Sequence, residues 1–165
     1  MTTTTQKDLA VQIHRVFINA TPQAVWDAIT SPDWNARYGY HAETKYDLRP
    51  GGAYLVLAPS GDPTHAPTEP IIEGEVIECD PPHRLVQTWH ALFSPETTAE
   101  PFTRLTWEIE AHPNGTTSLT VVHEVGDAPI TAALTSGNDP NAGGGWAWII
   151  SDLKTLLETG KAIGG

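Results

Sequence analysis

The sequence predicts an α+β domain in which a long C-terminal helix lies across a curved antiparallel sheet of about six or seven strands. Alternating apolar and polar runs, separated by Gly- and Pro-rich turns, predict the strands. Asn114-Gly115 lies between two such runs and predicts a hairpin, because both residues tolerate a positive φ. Helical spacing predicts the terminal helix over residues 146–159, ending before Gly160. Its apolar stripe comprises Trp146, Ile149, Ile150, Leu153, Leu156 and Leu157.

The N-terminal part of this arrangement is one strand followed by two short helices. β-Branched residues predict the strand over residues 11–20. Thr21-Pro22 then supplies a capping hydroxyl and a proline for the first helical position, so a short helix is expected. Ser31-Pro32 repeats this pattern and predicts the second short helix.

The later strands are separated by turns and loops that are rich in proline and glycine. Five further strands are predicted over residues 53–58, 71–79, 84–93, 102–111 and 116–125. Residues 127–145 are predicted to be a long Gly-, Asn-, Ala- and Pro-rich connection, which at that length is typically either mobile or functional. Asp152 is expected on the solvent side of the terminal helix, opposite the apolar stripe.

The composition describes one acidic domain without disulfide cross-links. Residues 11–162 are predicted to form a single domain after a disordered tail over residues 1–10. Cys79 is the only cysteine, so a disulfide framework and a cysteine-based zinc cluster are excluded. The net charge of −11 argues against nucleic-acid binding and against docking on anionic membranes. Residues 1–6 lack the apolar run of a secretory signal, and a cytoplasmic protein is expected.

A pocket beneath the terminal helix is expected from the geometry of twisted sheets. A sheet of this size curls, and a single helix does not fill its concave face from end to end. The remaining space is therefore predicted to form a pocket between the helix and the sheet.

Four segments, taken in their order and spacing, are typical of one superfamily. They are FINATPQAVWDAITSPDW (17–34), DLRPGGAY (47–54), EGEVIECDPPHRLVQTW (73–89) and GGWAWIISDLKTLLETG (144–160). In these segments the chain resembles the SRPBCC (START/Bet v 1-like) superfamily, in the branch of the C-terminal domain of the activator of Hsp90 ATPase. The resemblance implies a helix-grip fold, in which the curved sheet wraps around the C-terminal helix and an apolar cavity.

The resemblance implies no single activity. The superfamily includes lipid carriers, plant hormone binders, polyketide aromatase/cyclases and Hsp90 co-chaperone domains. The matching residues are mostly caps, turns and core, which specify the fold. Residues 59–70 and 127–145 depart from the compact family pattern, and these loops would set the choice of ligand if they cover the cavity mouth.

Strand alternation selects candidate residues for contact with a ligand. His123 shares an apolar strand face with Leu119 and Val121 and is predicted to point inward. Two registers are open for strand 84–93, since a shift of one residue reverses every side chain. The register that turns Trp89 inward is favoured by its large apolar area, and it leaves His90 outward. The predicted ligand-binding residues are Trp34, Tyr38, Tyr40, Gln87, Trp89, Trp107, His123, Trp146 and Ile150.

The leading hypothesis is binding of a small apolar or aromatic ligand in this cavity, because the sequence has no strong catalytic motif. One alternative is a cyclase-, dehydratase- or hydrolase-type enzyme, with His123 as base and Arg37 or Tyr40 as donor to an enolate-like oxygen. Another is an Hsp90 co-chaperone-like interaction module anchored by Trp148.

No cofactor is predicted. No metal site is predicted either, because the sequence lacks paired histidines at ligand spacing. The sequence leaves open a homodimer, the ligand's identity and whether turnover occurs.

Overall fold

The computed structural model describes residues 10–139 and 143–163. The predicted disordered tail lies outside the described residues, except for Ala10. In chain order the described elements are β1 (Val11–Ile18), α1 (Pro22–Thr30), α2 (Pro32–Asn35), β2 (Thr44–Tyr46), β3 (Ala53–Leu57), β4 (Pro70–Asp80), β5 (Arg84–Ala91), α3 (Pro95–Thr98), β6 (Thr103–Ala111), β7 (Thr117–Glu124), α4 (Pro129–Thr135) and α5 (Gly145–Thr159).

The strands of the described residues form one seven-stranded antiparallel sheet in the order β1-β7-β6-β5-β4-β3-β2. Gly115 has a φ of 88° in the predicted turn between β6 and β7, and this hairpin sets Trp107 opposite Val121. The pairing of β4 with β5 is irregular between Val76 and Glu78. Such bulges bend a strand and increase its twist, which favours a sheet that curves around α5.

Helix α5 buries its predicted stripe against the inner face of the sheet. Its buried members are Trp146, Ile150, Leu153 and Leu156, and they join one core with residues of β5, β6 and β7. The helix ends where expected, because Gly160 adopts a φ of 84° and its N–H donates to the Leu156 carbonyl at 2.8 Å. The predicted α+β helix-grip architecture, including two short helices after β1, is confirmed.

Three elements lie in regions where the sequence predicted no regular structure: β2, α3 and α4. Helix α4 falls within the predicted 127–145 connection. Its N-cap residue, Ala128, has no capping side chain. The Glu100 carboxylate takes that role, accepting from the backbone N–H groups of Ile130 at 2.7 Å and Thr131 at 2.9 Å. The start of this helix therefore depends on a residue about 30 positions upstream, which local sequence does not reveal.

The expected position of Asp152 on the solvent side is wrong, because this carboxylate is fully buried. It accepts from Gly39 N at 2.9 Å and from Ile163 N at 2.5 Å. The turn after α2 and the chain after α5 both fold over that side of the helix, so Asp152 joins two segments that are distant in sequence.

The structure settles the register of β5 in favour of the predicted one. Gln87 and Trp89 are buried on the inner face, while His90 lies on the opposite face. His90 is nevertheless buried, because it stacks on Phe102 at 4.3 Å and lies against Glu73 and helix α3.

None of the described helices is both long and apolar enough to span a bilayer. Within the same described ranges, no group of three or more His, Cys, Asp and Glu side chains has the geometry to hold a metal ion.

Candidate ligand-binding cavity

A cavity of about 380 Å³ lies between the N-terminal end of α5 and the inner face of the sheet. Strands β2 to β6 contribute to its wall, together with helices α1, α2 and α4 and the turn after α2. The wall comprises Ile29, Asn35, Tyr38, Gly39, Tyr40, Ala42, Thr44, Tyr46, Tyr54, Val56, Ile71, Ile72, Trp89, Phe93, Trp107, Leu134, Thr135, Gly145, Trp146 and Ile149. Among these described residues there is no Asp, Glu, Lys, Arg or His, so the cavity is suited to uncharged molecules.

Paired tyrosines on β2 and β3 form one side of this wall. Tyr46 and Tyr54 are directly opposite in the strand pairing, and their ring centroids are 4.7 Å apart. Gly74 lies opposite Tyr54 on the other side of β3. A Cβ at this position would lie 2.0 Å from the Thr88 carbonyl oxygen and 3.1 Å from the Tyr54 ring. The absent side chain at Gly74 therefore leaves room for Tyr54 at the cavity wall.

Gln87 holds two of the aromatic side chains in place. It is fully buried, and its Oε1 accepts from the Tyr46 hydroxyl at 2.5 Å and from Trp107 Nε1 at 3.3 Å. Burial raises the pKa of Tyr46 well above its usual value. The Tyr46 phenol consequently stays neutral and acts as a hydrogen-bond donor to Gln87.

The indole N–H of Trp89 is buried next to Tyr54. Its side chain lines the cavity and is 4% exposed, yet Nε1 has no hydrogen-bond partner among the described residues. The Tyr54 oxygen lies beside this N–H: burial raises the pKa of Tyr54, and the neighbouring Trp89 N–H partly opposes that rise. The pair does not reach hydrogen-bond geometry. A buried donor of this kind costs about 1–3 kcal/mol when it is left unpaired.

His123 lies behind the wall and uses both of its ring nitrogens. Trp146 Nε1 can only donate, so the 3.0 Å contact makes His123 Nδ1 an acceptor and leaves the proton on Nε2. His123 Nε2 then donates to Thr103 Oγ1 at 2.7 Å, and that hydroxyl donates to the Trp89 carbonyl at 2.9 Å. Burial lowers the pKa of His123 to about 3, so the imidazole is neutral at physiological pH.

The structure brings five of the predicted ligand-binding residues together at the wall: Tyr38, Tyr40, Trp89, Trp107 and Trp146. It places the other four outside the wall. Gln87 and His123 lie behind the aromatic rings to which they are hydrogen-bonded, and Ile150 is a core residue. Trp34 is half-buried, and the Arg37 guanidinium lies 4.7 Å from its ring centroid.

The three candidates for catalysis do not converge on one point of the cavity. Arg37 is exposed and paired with Trp34 away from the wall. His123 lies behind Trp146, where its nitrogens are occupied. Tyr40 is the one candidate at the wall, and its hydroxyl accepts from Gly145 N at 3.2 Å. Burial raises the pKa of Tyr40, which disfavours a phenolate there.

Helix α4 closes one side of the cavity with Leu134 and Thr135. It is fastened to β1 by Gln12, whose Nε2 donates to the Ala132 carbonyl at 2.8 Å and whose Oε1 accepts from Thr135 at 2.9 Å. Of the two loops that depart from the compact family pattern, 127–145 reaches the wall, whereas no residue of 59–70 does so.

Sequence reasoning missed Tyr46, Tyr54, Leu134 and Thr135 as wall residues. The alternation of Tyr54 with Val56 on one face of β3 was a usable signal, because both side chains are buried at the cavity. No comparable signal identified the α4 residues, since the cap of that helix comes from Glu100.

The family model for "Activator of Hsp90 ATPase homolog 1-like protein" matches residues 19–158. The chain belongs to the activator of Hsp90 ATPase homolog 1-like family. This family membership confirms the resemblance to that branch of the SRPBCC superfamily. No curated protein matches the sequence.

Solved structures with low sequence identity share the fold of this family member. CalU16 from Micromonospora echinospora has a TM-score of 0.65 at 19% identity, over 93% of this chain and 78% of that chain. DynU16, from the dynemicin biosynthetic locus, has a TM-score of 0.67 at 22% identity, over 93% of this chain and 49% of that chain. The Aha1 dimer from Colwellia psychrerythraea has a TM-score of 0.64 at 16% identity, over 92% of this chain and 98% of that chain.

Proposed function

We propose that the protein binds a small apolar or aromatic molecule in the cavity between the sheet and α5. The observation that carries this proposal is the uncharged, largely aromatic wall around about 380 Å³ of space. Ligand sites in proteins typically have about 300–1,000 Å³ and are lined by hydrophobic and aromatic side chains with a few polar groups. The wall has this composition, with Tyr40, Asn35 and Thr44 among its polar residues.

Burial of an apolar ligand supplies the free energy for this binding. Each Å² of apolar surface removed from water contributes about 25 cal/mol, so roughly 300 Å² contributes about 7.5 kcal/mol. The loss of translational and rotational freedom offsets part of that gain. The rings of Trp89, Trp107 and Trp146 pack edge-to-face at 5.6–6.1 Å, which fixes these walls before a ligand enters.

An enzymatic function in the same cavity is less well supported. Acid–base catalysis needs titratable groups within hydrogen-bond reach of one reacting atom. The titratable groups of the described wall are tyrosines, and burial raises the pKa of Tyr38, Tyr46 and Tyr54. His123 is neutral and hydrogen-bonded on both sides.

An Hsp90 co-chaperone-like function rests on the family and on neighbours such as the Hsp90 activator from Plasmodium falciparum. Trp148, the predicted anchor, is half-buried and its Nε1 donates to the Gly39 carbonyl at 3.4 Å. A side chain engaged in this way is a weaker interface anchor than a free one. A homodimer, as in the Aha1 structure, stays a prediction that native mass spectrometry tests directly.

The proposed binding is tested by filling the cavity. Ala42 lines the wall, so Ala42→Phe places a ring inside the cavity, whereas Ala111→Phe adds the same ring to an exposed strand end. We expect isothermal titration calorimetry to show binding of 2-acetylnaphthalene to the wild type and to Ala111→Phe. Binding should weaken at least about tenfold in Ala42→Phe, because the ring removes the space for the probe. Undiminished binding to Ala42→Phe contradicts the proposed site.

A further inference from the structure

Helix α4 covers one side of the cavity without being part of the apolar core. Leu134 lines the cavity, and among the described residues no member of α4 belongs to the core cluster or packs against it. The buried residues of α4 are Thr131 and Thr135, while Ile130 is 40% exposed. Helices α1 and α5, by contrast, each contribute several buried residues to the core. The apolar packing that stabilises most helices in proteins therefore contributes little to α4.

Polar side chains fasten α4 instead. At its start the Glu100 carboxylate accepts from two backbone N–H groups and from the Thr131 hydroxyl at 2.8 Å. Near its end Gln12 is hydrogen-bonded to the Ala132 carbonyl and to the Thr135 hydroxyl. Each such bond shifts an equilibrium by about two- to tenfold. Detachment of α4 is therefore far less costly than unfolding of the core.

The C-terminal end of α4 meets α5 through backbone atoms and not through interlocking side chains. A Cβ at Gly145, the first residue of α5, would lie 2.3 Å from the Thr135 carbonyl oxygen. Gly137 follows α4 with a φ of 85°, a conformation that glycine adopts without strain. The two helices can consequently separate here without repacking of side chains.

The residue that fastens the start of α4 is itself held in place. The Nε2 of the buried His90 donates to the Thr98 carbonyl at 3.0 Å, and the His90 ring stacks on Phe102 at 4.3 Å. These contacts lie two residues before and two residues after Glu100. Glu100 is therefore a fixed point from which α4 can detach and to which it can return.

We propose that α4 is a lid of the cavity, held shut by Glu100, and that the ligand enters and leaves when α4 detaches from this carboxylate. This inference rests on the proposed function and adds the route by which the ligand reaches its site. The hydrogen-bonded strands and helices α1 and α5 supply core residues to the rest of the wall, and Asp152 holds the turn after α2. Detachment of α4 leaves all of these contacts intact.

A lid has a kinetic signature that a residue of the binding surface does not have. Glu100 does not line the cavity, and Glu100→Gln removes the charge that fastens α4. The variant should therefore raise the population of the open lid in the free and in the bound protein alike. By stopped-flow tryptophan fluorescence at pH 6, we expect the association and dissociation rate constants of 2-acetylnaphthalene each to rise about tenfold. Its Kd should change by less than about twofold.

Two further variants test the assignment. Gln12→Ala loosens the other end of α4, so both rate constants should rise at least about threefold, and this variant carries the test if Glu100→Gln does not fold. Glu110→Gln makes the same chemical change at an exposed position of β6 and should leave both rate constants at their wild-type values.

Hydrogen exchange of the ligand-free protein measures the same opening independently. The amides of Ala132 and Ser136 donate to carbonyls within α4 and should exchange when the lid opens. In Glu100→Gln their protection should fall by the same factor as the association rate constant rises, because one opening governs both.

The outcomes distinguish a failure of the lid from a failure of the proposed function. Unchanged rate constants in Glu100→Gln and Gln12→Ala overturn the lid, since the ligand then uses another route. A rise in the dissociation rate constant alone, with weaker affinity, also overturns it, because it assigns these residues to the shape of the cavity. Absence of probe binding to the wild type contradicts the proposed function itself, and the lid with it.

Discussion

The Trp146 indole donates its N–H to Nδ1 of His123 across 3.0 Å, and this bond fixes both partners. It sets the tautomer of His123, whose other nitrogen then donates to Thr103. It also orients the Trp146 ring, which forms part of the cavity wall. A residue that the sequence offered as a catalytic base therefore acts in this structure as the support of an aromatic wall.

The buried neutral state of His123 predicts a specific pH dependence of stability. Its folded-state pKa of about 3 lies below the unfolded value of about 6.5, so the unfolded chain binds a proton first as the pH falls. The stabilisation is complete above about pH 6.5 and declines by about 1.4 kcal/mol per pH unit between about pH 6 and pH 4. Urea unfolding should show this extra slope in the wild type relative to His123→Gln, which keeps a donor and an acceptor but does not titrate. Parallel slopes would contradict the assignment.

Loss of the Asp152 carboxylate should destabilise the protein strongly. Asp152→Ala leaves the amides of Gly39 and Ile163 without their acceptor, and an unpaired buried donor costs about 1–3 kcal/mol. We expect a loss of about 2–4 kcal/mol in the free energy of unfolding, measured with urea. Asp152→Asn keeps one carbonyl oxygen and should lose less. The exposed control Glu110→Ala should change stability by no more than about 0.5 kcal/mol.

A methyl group at Gly74 should disturb both the sheet and the cavity. The added Cβ meets the Thr88 carbonyl and the Tyr54 ring, so β4 or Tyr54 must shift. Gly74→Ala is expected to cost about 1–3 kcal/mol of stability and to weaken binding of 2-acetylnaphthalene. Thermal unfolding and calorimetry measure the two effects. A variant as stable as wild type would show that the close approach at Gly74 is unimportant.

Helix α4 should loosen when Glu100 is neutralised. Burial raises the pKa of Glu100, but hydrogen bonds from Ile130 and Thr131 outweigh it and lower the pKa below its usual value. This stabilisation is present above the unfolded pKa of about 4.3 and is lost as the pH falls through the lower folded value. Hydrogen-exchange protection of the Ala132 and Ser136 amides should fall about tenfold in Glu100→Gln at pH 6. The wild type should approach the variant near pH 3, while α5 amides stay protected in both.

The elements that the sequence predicted are those with local signals. The hairpin at Asn114-Gly115 needs residues that tolerate a positive φ, and Gly115 adopts one. The spacing of apolar residues in α5 indicates a helix that buries one face. Gly160 ends this helix in the left-handed region of backbone conformation. In each case residues close in sequence decide the conformation, so the sequence carries the information directly.

The features that the sequence did not reveal depend on distant partners. The cap of α4 comes from Glu100, and the burial of Asp152 depends on the turn at Gly39 and the chain at Ile163. His123 was correctly expected to point inward, but only the structure shows that Trp146 lies between it and the cavity. Alternation determines which face a side chain is on, not which neighbour covers it.

A crystal structure of the protein with 2-acetylnaphthalene tests the central claim most directly. We predict that the naphthalene ring lies beneath the first turn of α5 among Tyr54, Trp107 and Trp146. A cavity filled by rearranged side chains, with the probe absent or bound only on the outer surface, would contradict the account.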